Sequence, residues 1–305
     1  MILTITLNPA VDHTLAVDVT PRPDIVNRAT RGGQFDAGGK GINVSQFLAA
    51  LDADTVAMGV LGGFTGEFIR TELSEEPFES VFVTVAEPTR VNTTVLAADG
   101  EYKFNERGPH VADSAVDELV SWISALSPDR VAVAGSLPPG LDAGTIDRLA
   151  QAGPWRTNVD VGGAMLTELA ATYETCKPNR EELAEAVGHP VESVEDAVEA
   201  ARELLAMGYE RVVTSLGADG AVLVTGETAL YADAVETDVV DTVGAGDSLF
   251  AGVLAALDDG ADEATALKRG IALAGLVVSQ PGTTAPSIDD PDALGEEVTV
   301  RSVTP

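Results

Sequence analysis

The sequence predicts an α/β protein: a mostly parallel sheet with helices on both faces, together with a small β-sheet lid. Short apolar strand-like runs alternate along the chain with segments of helical periodicity, and this order favours a parallel sheet covered by helices. Two regions, about 11–36 and 91–106, are rich in strand-like segments with no helix between them. We expect these regions to form a separate small sheet that covers the functional site as a lid.

The main elements follow from hydrophobic periodicity. A strand is predicted over 2–7 and a helix over 42–51, in which Val44, Phe47, Leu48 and Leu51 share one face. Further strands are predicted over 55–60, 81–85, 91–97, 130–134, 158–161, 211–215, 221–224 and 235–240. Further helices are predicted over 114–125, 143–152, 194–207, 245–257 and 263–278. The length of 305 residues allows one large domain or two smaller ones, and no flexible linker divides the chain.

The charge of the chain is strongly negative. It has 18 basic and 49 acidic residues, a net charge of −31, and its lysines are Lys40, Lys103, Lys177 and Lys268. Such a surface repels nucleic acids and anionic membranes, so we expect neither as a partner. An excess of acidic residues with few lysines is typical of proteins that work in concentrated salt, which screens self-repulsion. The composition therefore predicts a halophilic source.

Cysteine and histidine usage limits other chemistry. Cys176 is the only cysteine, which excludes an intrachain disulfide and a cysteine-based metal site. The three histidines lack metal-ligand spacing. No apolar run approaches the roughly 18 residues of a membrane helix, and the N-terminal segment lacks the features of a signal peptide. We expect a cytoplasmic protein.

The segment DTVGAGD (241–247) opens the predicted helix at 245–257. Gly244, Ala245 and Gly246 leave backbone N–H groups accessible at a helix N-terminus, where they can stabilise charge on a transferred phosphoryl group. Asp247 then lies in the first turn and can take a proton from an acceptor hydroxyl. An acidic residue at a helix start also has a purely structural explanation, since it stabilises the helix. The chain contains neither a P-loop nor a dinucleotide-binding fingerprint.

A second glycine turn, GGKGIN (38–43), also leads into a helix. Gly38 and Gly39 allow a sugar to approach the backbone, while Lys40 and Asn43 can contact its oxygens. The alternative is an ordinary turn with Asn43 near the helix cap.

A third motif, KPNREE (177–182), places Asn179 and Glu182 three residues apart at a helix start, so that they face the same side. Their oxygens could hold, through water, the Mg²⁺ that accompanies ATP. They could equally form a capping box, and the two roles are compatible.

Six ordered segments resemble the motifs of the ribokinase-like (PfkB) family of carbohydrate kinases, over nearly the whole chain. They are TLNPAVD (6–12), GGKGIN (38–43), AGSLP (134–138), KPN (177–179), SLGADG (215–220) and DTVGAGD (241–247). Within the family the resemblance is closest to the 1-phosphofructokinase group. It implies a single three-layer α/β/α sandwich domain over 1–305 with a small β-sheet lid, and a homodimer formed through the lids.

The resemblance also implies roles for individual residues. Asp247 would be the catalytic base, with Gly244, Ala245 and Gly246 as the anion hole. The implied nucleotide-binding residues are Lys177, Asn179, Ser215, Gly217, Gly220, Gly244 and Gly246. The implied acceptor-binding residues are Asp12, Gly38, Gly39, Lys40, Asn43 and Arg90. Many relatives have a serine or threonine pair after the aspartate at Asp160, where this chain has Val161, Gly162 and Gly163, so the role of this loop stays open.

The expected activity is ATP-dependent phosphorylation of a ketohexose phosphate, with fructose 1-phosphate as acceptor and fructose 1,6-bisphosphate as product. Mg²⁺ and a monovalent cation such as K⁺ are the expected ions. Fructose 6-phosphate and tagatose 6-phosphate are alternative acceptors; a nucleoside or vitamin kinase and a non-catalytic sensor are alternative functions. The basic residues near the acceptor motifs, Arg28, Lys40, Arg90 and Arg107, favour a phosphorylated acceptor. Asp247 disfavours a sensor, which needs no base.

Overall fold

The computed structural model of the chain describes residues 1–30, 32–280, 282 and 285–303. Its strands are β1 (Ile2–Thr6), β2 (Ala10–Ala16), β3 (Gln34–Gly38), β4 (Thr55–Leu61), β5 (Glu79–Thr84), β6 (Arg90–Ala97), β7 (Gly100–Asn105), β8 (Arg130–Ala134), β9 (Arg156–Asp160), β10 (Tyr173–Cys176), β11 (Tyr209–Ser215), β12 (Ala221–Thr225), β13 (Ala229–Ala232) and β14 (Val300–Ser302). Its helices are α1 (Lys40–Ala50), α2 (Gly63–Leu73), α3 (Asp113–Leu126), α4 (Ala143–Gln151), α5 (Gly163–Glu168), α6 (Arg180–Val187), α7 (Val194–Ala206), α8 (Ala245–Asp258) and α9 (Glu263–Val278).

A ten-stranded sheet lies at the centre of the molecule, in the order β14-β13-β12-β11-β10-β9-β8-β1-β4-β5. The seven strands from β11 to β5 are parallel, and β12, β13 and β14 add an antiparallel edge. The central parallel strands β1, β4 and β8 are buried at every position and mostly apolar, as expected for strands that are covered on both faces. The predicted α/β fold with a mostly parallel sheet is confirmed.

Alternation along β1 shows how the two helical layers form. Leu3 and Ile5 point into a core shared with α3, α4 and α7. Ile2 lies on the opposite face, in a core shared with Phe47 of α1 and Phe250 of α8. Side chains in a strand alternate between faces, so a strand that is buried at both sets of positions, as β1 is, joins two helical layers. The result is a three-layer α/β/α sandwich.

A separate four-stranded sheet has the order β3-β2-β6-β7. The outer pairs, β3 with β2 and β6 with β7, are antiparallel, and the central pair β2 and β6 is parallel. The predicted small sheet is thus present, and its action as a lid remains a prediction. None of the helices described is long and apolar enough to cross a membrane.

The strand predicted over 235–240 is wrong. These residues form a loop between β13 and α8, with Val239 and Val240 63% and 61% exposed. Their valines alternate with Glu236 and Asp238 as in a strand, but the position beside β13 is occupied by β14 from the end of the chain. Helices α2 and α5 and strands β10, β13 and β14 were not predicted. Glycines and threonines hide the periodicity of α2, and the three strands have only three or four residues.

Candidate active site

The N-termini of α1 and α8 meet above the carboxyl ends of the parallel strands. Ile42 N donates to Thr6 Oγ1 at the end of β1 (3.0 Å), which fixes the start of α1 there. Asn43 Nδ2, in the first turn of α1, donates to Asp247 Oδ2 in the first turn of α8 (2.8 Å). The two glycine motifs, about 200 residues apart in sequence and each followed by a helix, therefore form one site.

Asp247 is buried at this junction. Burial and the negative charge of Asp160 raise its pKa from 3.8 to about 6, against the opposing effects of the Asn43 hydrogen bond and of Lys40 and Lys177. A carboxylate with this pKa is ionised at neutral pH, yet is a stronger base than an exposed aspartate. Asp247 therefore has the chemistry required of a general base.

The start of α8 presents backbone amides next to Asp247. Gly244 precedes the helix with a φ of 81°, a left-handed conformation that glycine adopts without strain. Ser248 N donates to Gly244 O (2.8 Å), so the preceding N–H groups are those that a helix leaves without an intrahelical partner. A Cβ atom on Gly246 would lie 3.3 Å from Lys177 Nζ. Amides and a buried ammonium group thus converge on one point, as a phosphate-binding site requires.

A fully buried carboxylate, Asp160 at the end of β9, lies between two lysines. Lys40 Nζ donates to Asp160 Oδ1 (2.9 Å), and Lys177 Nζ lies 3.2 Å from Oδ2. Burial alone would raise the pKa of Asp160, but Lys177 and Lys40 outweigh it and lower that pKa. Burial would likewise lower the pKa of Lys40, but Asp160 and Glu182 raise it.

The predicted acceptor residues lie where the small sheet joins the main body. Asp12 on β2 accepts a hydrogen bond from Asn92 Nδ2 (3.0 Å). A Cβ atom on Gly38 would collide with the Asp12 carboxylate, and one on Gly39 would lie 2.6 Å from Thr6 Cγ2. The glycine turn therefore packs directly against Asp12 and the end of β1, on the side of the site that faces the small sheet.

Arg90 makes contacts that the sequence did not predict. Its guanidinium donates to the backbone carbonyls of Asn8 (3.0 and 3.2 Å) and Glu106 (3.1 Å). These carbonyls lie on two of the segments that connect the small sheet to the main body, so Arg90 joins them at the edge of the site. Arg28 and Arg107 are exposed.

An apolar cavity of about 440 Å³ lies on the other side of the α8 N-terminus. Ser215, Gly217, Gly220 and Gly246 line it, together with apolar side chains from the 235–243 loop and from α8 and α9, including Val235, Val239, Leu249, Ile271 and Val278. The cavity reaches the start of α8, where Ala245 and Gly246 line it and Lys177 lies beside Gly246. It fits a nucleotide, with an apolar surface for a base and donors for phosphates.

Comparisons with known proteins identify the family. The model of the pfkB family of carbohydrate kinases matches residues 5–290. The chain belongs to this family. As a pfkB kinase it is 53% identical to the 1-phosphofructokinase of Haloferax volcanii over 290 residues, which are 95% of each chain. It is 32% identical to the D-tagatose-1-phosphate kinase of Bacillus licheniformis, over 92% of this chain and 94% of the relative.

Solved structures give the same family. This pfkB kinase superposes on phosphofructokinase-2 from Escherichia coli in complex with potassium with a TM-score of 0.88 and 29% sequence identity. The match covers 97% of this chain and 98% of the solved chain.

In this pfkB kinase, Asn179 and Glu182 form a capping box at the start of α6. Asn179 Oδ1 accepts from Glu182 N (2.8 Å), and Glu182 Oε2 accepts from Asn179 N (2.9 Å). The second oxygen, Glu182 Oε1, lies 3.9 Å from Lys40 Nζ and so faces the site. No cluster of three or more potential metal-ligating side chains occurs within the described part of the chain. The capping box leaves only Glu182 Oε1 outside its two hydrogen bonds, and a carboxylate oxygen of this kind can hold a Mg²⁺ ion through water.

The structure brings the predicted residues into two groups around Asp247. One group contains residues predicted to bind the acceptor: Asp12, Gly38, Gly39, Lys40 and Asn43, with Arg90 at its edge. The other contains residues predicted to bind the nucleotide: Lys177, Asn179, Ser215, Gly217, Gly220, Gly244 and Gly246. Their binding roles remain predictions. Sequence reasoning missed Asp160 as a site residue. The available signal was an aspartate at the end of a buried strand, where the carboxyl edge of a parallel sheet carries ligand-binding residues.

Proposed function

We propose that the protein catalyses ATP-dependent phosphorylation of fructose 1-phosphate to fructose 1,6-bisphosphate. The observation that carries the proposal is the position of Asp247: a buried carboxylate with a raised pKa, between a nucleotide-sized cavity and a polar cradle with basic residues. The 1-phosphofructokinase of Haloferax volcanii, 53% identical, supports fructose 1-phosphate as the acceptor.

Asp247 accepts the proton of the acceptor's C6 hydroxyl as that oxygen attacks the γ-phosphorus of ATP. The new O–P bond forms as the bond to the ADP oxygen breaks, and ADP leaves with the bonding electron pair. The amides of Gly244, Ala245 and Gly246, together with Lys177, stabilise the negative charge on the transferred group. Asn43 holds one oxygen of Asp247 and leaves the other oriented toward the acceptor hydroxyl.

Mg²⁺, when bound, neutralises charge on the ATP phosphates. Asn179 and Glu182 are the residues proposed to hold it, through water, because Glu182 Oε1 faces the site beside Lys40. A monovalent cation such as K⁺ also stays a prediction, which the potassium complex of phosphofructokinase-2 from Escherichia coli supports. Replacing KCl with a salt of a larger cation at constant ionic strength tests this prediction.

The acceptor is proposed to bind between the glycine turn and the small sheet, with its phosphate near Lys40 and Arg90 and its hydroxyls near Asp12 and Asn43. The small sheet then acts as a lid. Its exposed apolar side chains, Phe35, Leu96, Tyr102 and Phe104, support a homodimer formed through the two lids, because exposed apolar patches commonly mark interfaces. Light scattering on the purified protein tests the dimer.

An ADP-release assay tests the acceptor, using fructose 1-phosphate, fructose 6-phosphate, tagatose 1-phosphate, tagatose 6-phosphate, unphosphorylated fructose and adenosine. The highest kcat/KM is expected with fructose 1-phosphate. A higher kcat/KM with tagatose 1-phosphate would show that the protein is instead a tagatose-1-phosphate kinase, like the Bacillus licheniformis relative. A higher value with an unphosphorylated compound would contradict the sugar-phosphate assignment, and no turnover with any acceptor would favour a sensor.

A further inference from the structure

Asp160 is paired with two of the four lysines in the chain. Its carboxylate is 0% exposed, with Lys40 Nζ 2.9 Å from one oxygen and Lys177 Nζ 3.2 Å from the other. In a chain with a net charge of −31, lysines are scarce and carboxylates abundant. A buried carboxylate is costly unless it is paired, and two neighbouring ammonium groups repel each other unless an anion lies between them. The three charges therefore form one interdependent unit.

The two lysines come from opposite sides of the site. Lys40 is the first residue of α1, directly after the glycine turn that packs on Asp12. Lys177 follows β10, is itself buried, and lies beside Gly246 at the start of α8. One carboxylate thus fixes a cation on the acceptor side and a cation on the nucleotide side, and both cations are close enough to Asp247 to lower its pKa.

We propose that Asp160 is a positioning residue that holds Lys40 and Lys177 at the junction of the two substrate sites, and so couples these sites. The proposal rests on the proposed kinase function. Precise placement of a positive charge matters most where negative charge develops in the transition state. The negative charge of Asp160 opposes anion binding in the ground state. Removing it should therefore slow the chemical step without weakening nucleotide binding.

The test compares Asp160→Asn with Glu174→Gln. Glu174 is a matched control because it is a buried carboxylate on the adjacent strand β10, and it pairs with Arg130 (3.0 Å). Asp160→Asn is expected to lower kcat by about 10- to 100-fold, as small misplacements of catalytic groups do. Its Kd for ADP, measured by calorimetry without divalent metal, should be equal to or lower than that of the wild type. Glu174→Gln should leave both quantities unchanged.

Three results would overturn the proposal. One is a kcat of Asp160→Asn within about twofold of the control. Asp160 would then only neutralise the two lysines, with no effect on the chemical step. Another is a loss of kcat that is restored when the Mg²⁺ concentration is raised, which would indicate that Asp160 is a metal ligand. The third is a clear weakening of ADP binding. Wild-type turnover of fructose 1-phosphate is measured first, since its absence would contradict the proposed function instead.

A second variant keeps the proposal testable if Asp160→Asn does not fold. In Lys177→Met, Lys40 is the remaining ion-pair partner of Asp160. The carboxylate then attracts Lys40 more strongly, so Lys40 is less available to an acceptor phosphate. The Kd for fructose 1-phosphate, measured without nucleotide, is expected to rise several-fold, although Lys177 lies on the nucleotide side. Lys268→Met on α9 is the matched control. Equal acceptor affinity in the two variants would contradict the coupling.

Discussion

The Asn43 side-chain amide donates a 2.8 Å hydrogen bond to the Asp247 carboxylate, across the junction of α1 and α8. Asn43 Oδ1 is buried and, within the described residues, has no hydrogen-bond partner of its own. Among the described residues, the hydrogen bond to Asp247 is therefore the one that orients the side-chain amide. Its free oxygen is available to accept from an acceptor hydroxyl, so one side chain can hold both the base and the group that the base deprotonates.

The first prediction concerns pH. Because the pKa of Asp247 is about 6, kcat/KM should fall roughly tenfold per pH unit below pH 6. The Asn43 hydrogen bond favours the ionised carboxylate, so Asn43→Ala should raise this pKa and move the acid limb to higher pH. Ser45→Ala is the control, since Ser45 is buried on the same helix but bonds to Thr4 and Thr55. An acid limb that stays in place in Asn43→Ala would contradict this role.

The second prediction concerns stability. The folded-state pKa of Asp247 is raised above its ordinary value of 3.8. Its ionisation therefore destabilises the folded protein increasingly as pH rises from about 4 to 6, and the cost stays constant above pH 6. Asp247→Asn removes this cost. Its Tm should exceed that of the wild type at pH 7.5, and the difference should disappear near pH 4. A lower Tm for the variant at pH 7.5 would show that Asp247 stabilises the fold.

The third prediction concerns Arg90, whose guanidinium bonds to the carbonyls of Asn8 and Glu106. A lysine keeps the charge but cannot reproduce these forked contacts. Arg90→Lys should raise the KM for fructose 1-phosphate and leave the KM for ATP unchanged. Arg70→Lys is the control. Arg70 also donates to a backbone carbonyl, that of Phe82, but this carbonyl lies on β5 at the edge of the main sheet. An unchanged acceptor KM in Arg90→Lys would assign Arg90 a structural role only.

The fourth prediction concerns salt. At a net charge of −31, repulsion among surface carboxylates destabilises the fold, and at about 1 M salt the Debye length falls to roughly 3 Å. The partly buried site is screened less, so stability should rise before binding of the anionic substrates weakens. Tm and activity are expected to increase together between about 0.1 and 2 M KCl. A flat or falling Tm would contradict salt adaptation and leave the kinase proposal intact.

Periodicity predicted most of the fold, because the long amphipathic helices and the buried strands carry strong patterns. Helix α9 and strand β8 match the predicted bounds residue for residue. The 235–240 loop was mispredicted because alternating valines and acids are equally compatible with a loop that lines a cavity. Sequence patterns record local alternation, and they do not record which strand occupies a sheet edge.

The sequence predicted the motifs that form the site, but it did not predict the ion pairs between their charged side chains. Glycine turns identify a helix N-terminus, so Asp247 and Asn43 could be selected from sequence alone. The pairing of Asp160 with Lys40 joins residues 120 positions apart, and no local pattern encodes it. The contacts of Arg90 with backbone carbonyls could not be predicted for the same reason. They depend on the path of the segments that connect the small sheet to the main body.

The most direct test of the account follows phosphoryl transfer from ATP to fructose 1-phosphate by ³¹P NMR, with the wild type and Asp247→Asn. The wild type is expected to form fructose 1,6-bisphosphate and ADP in equal amounts. Asp247→Asn should bind ADP normally but turn over about 10²- to 10⁴-fold more slowly, the range typical of general-base loss. Near-normal turnover by Asp247→Asn, or no bisphosphate formed by the wild type, would contradict the account.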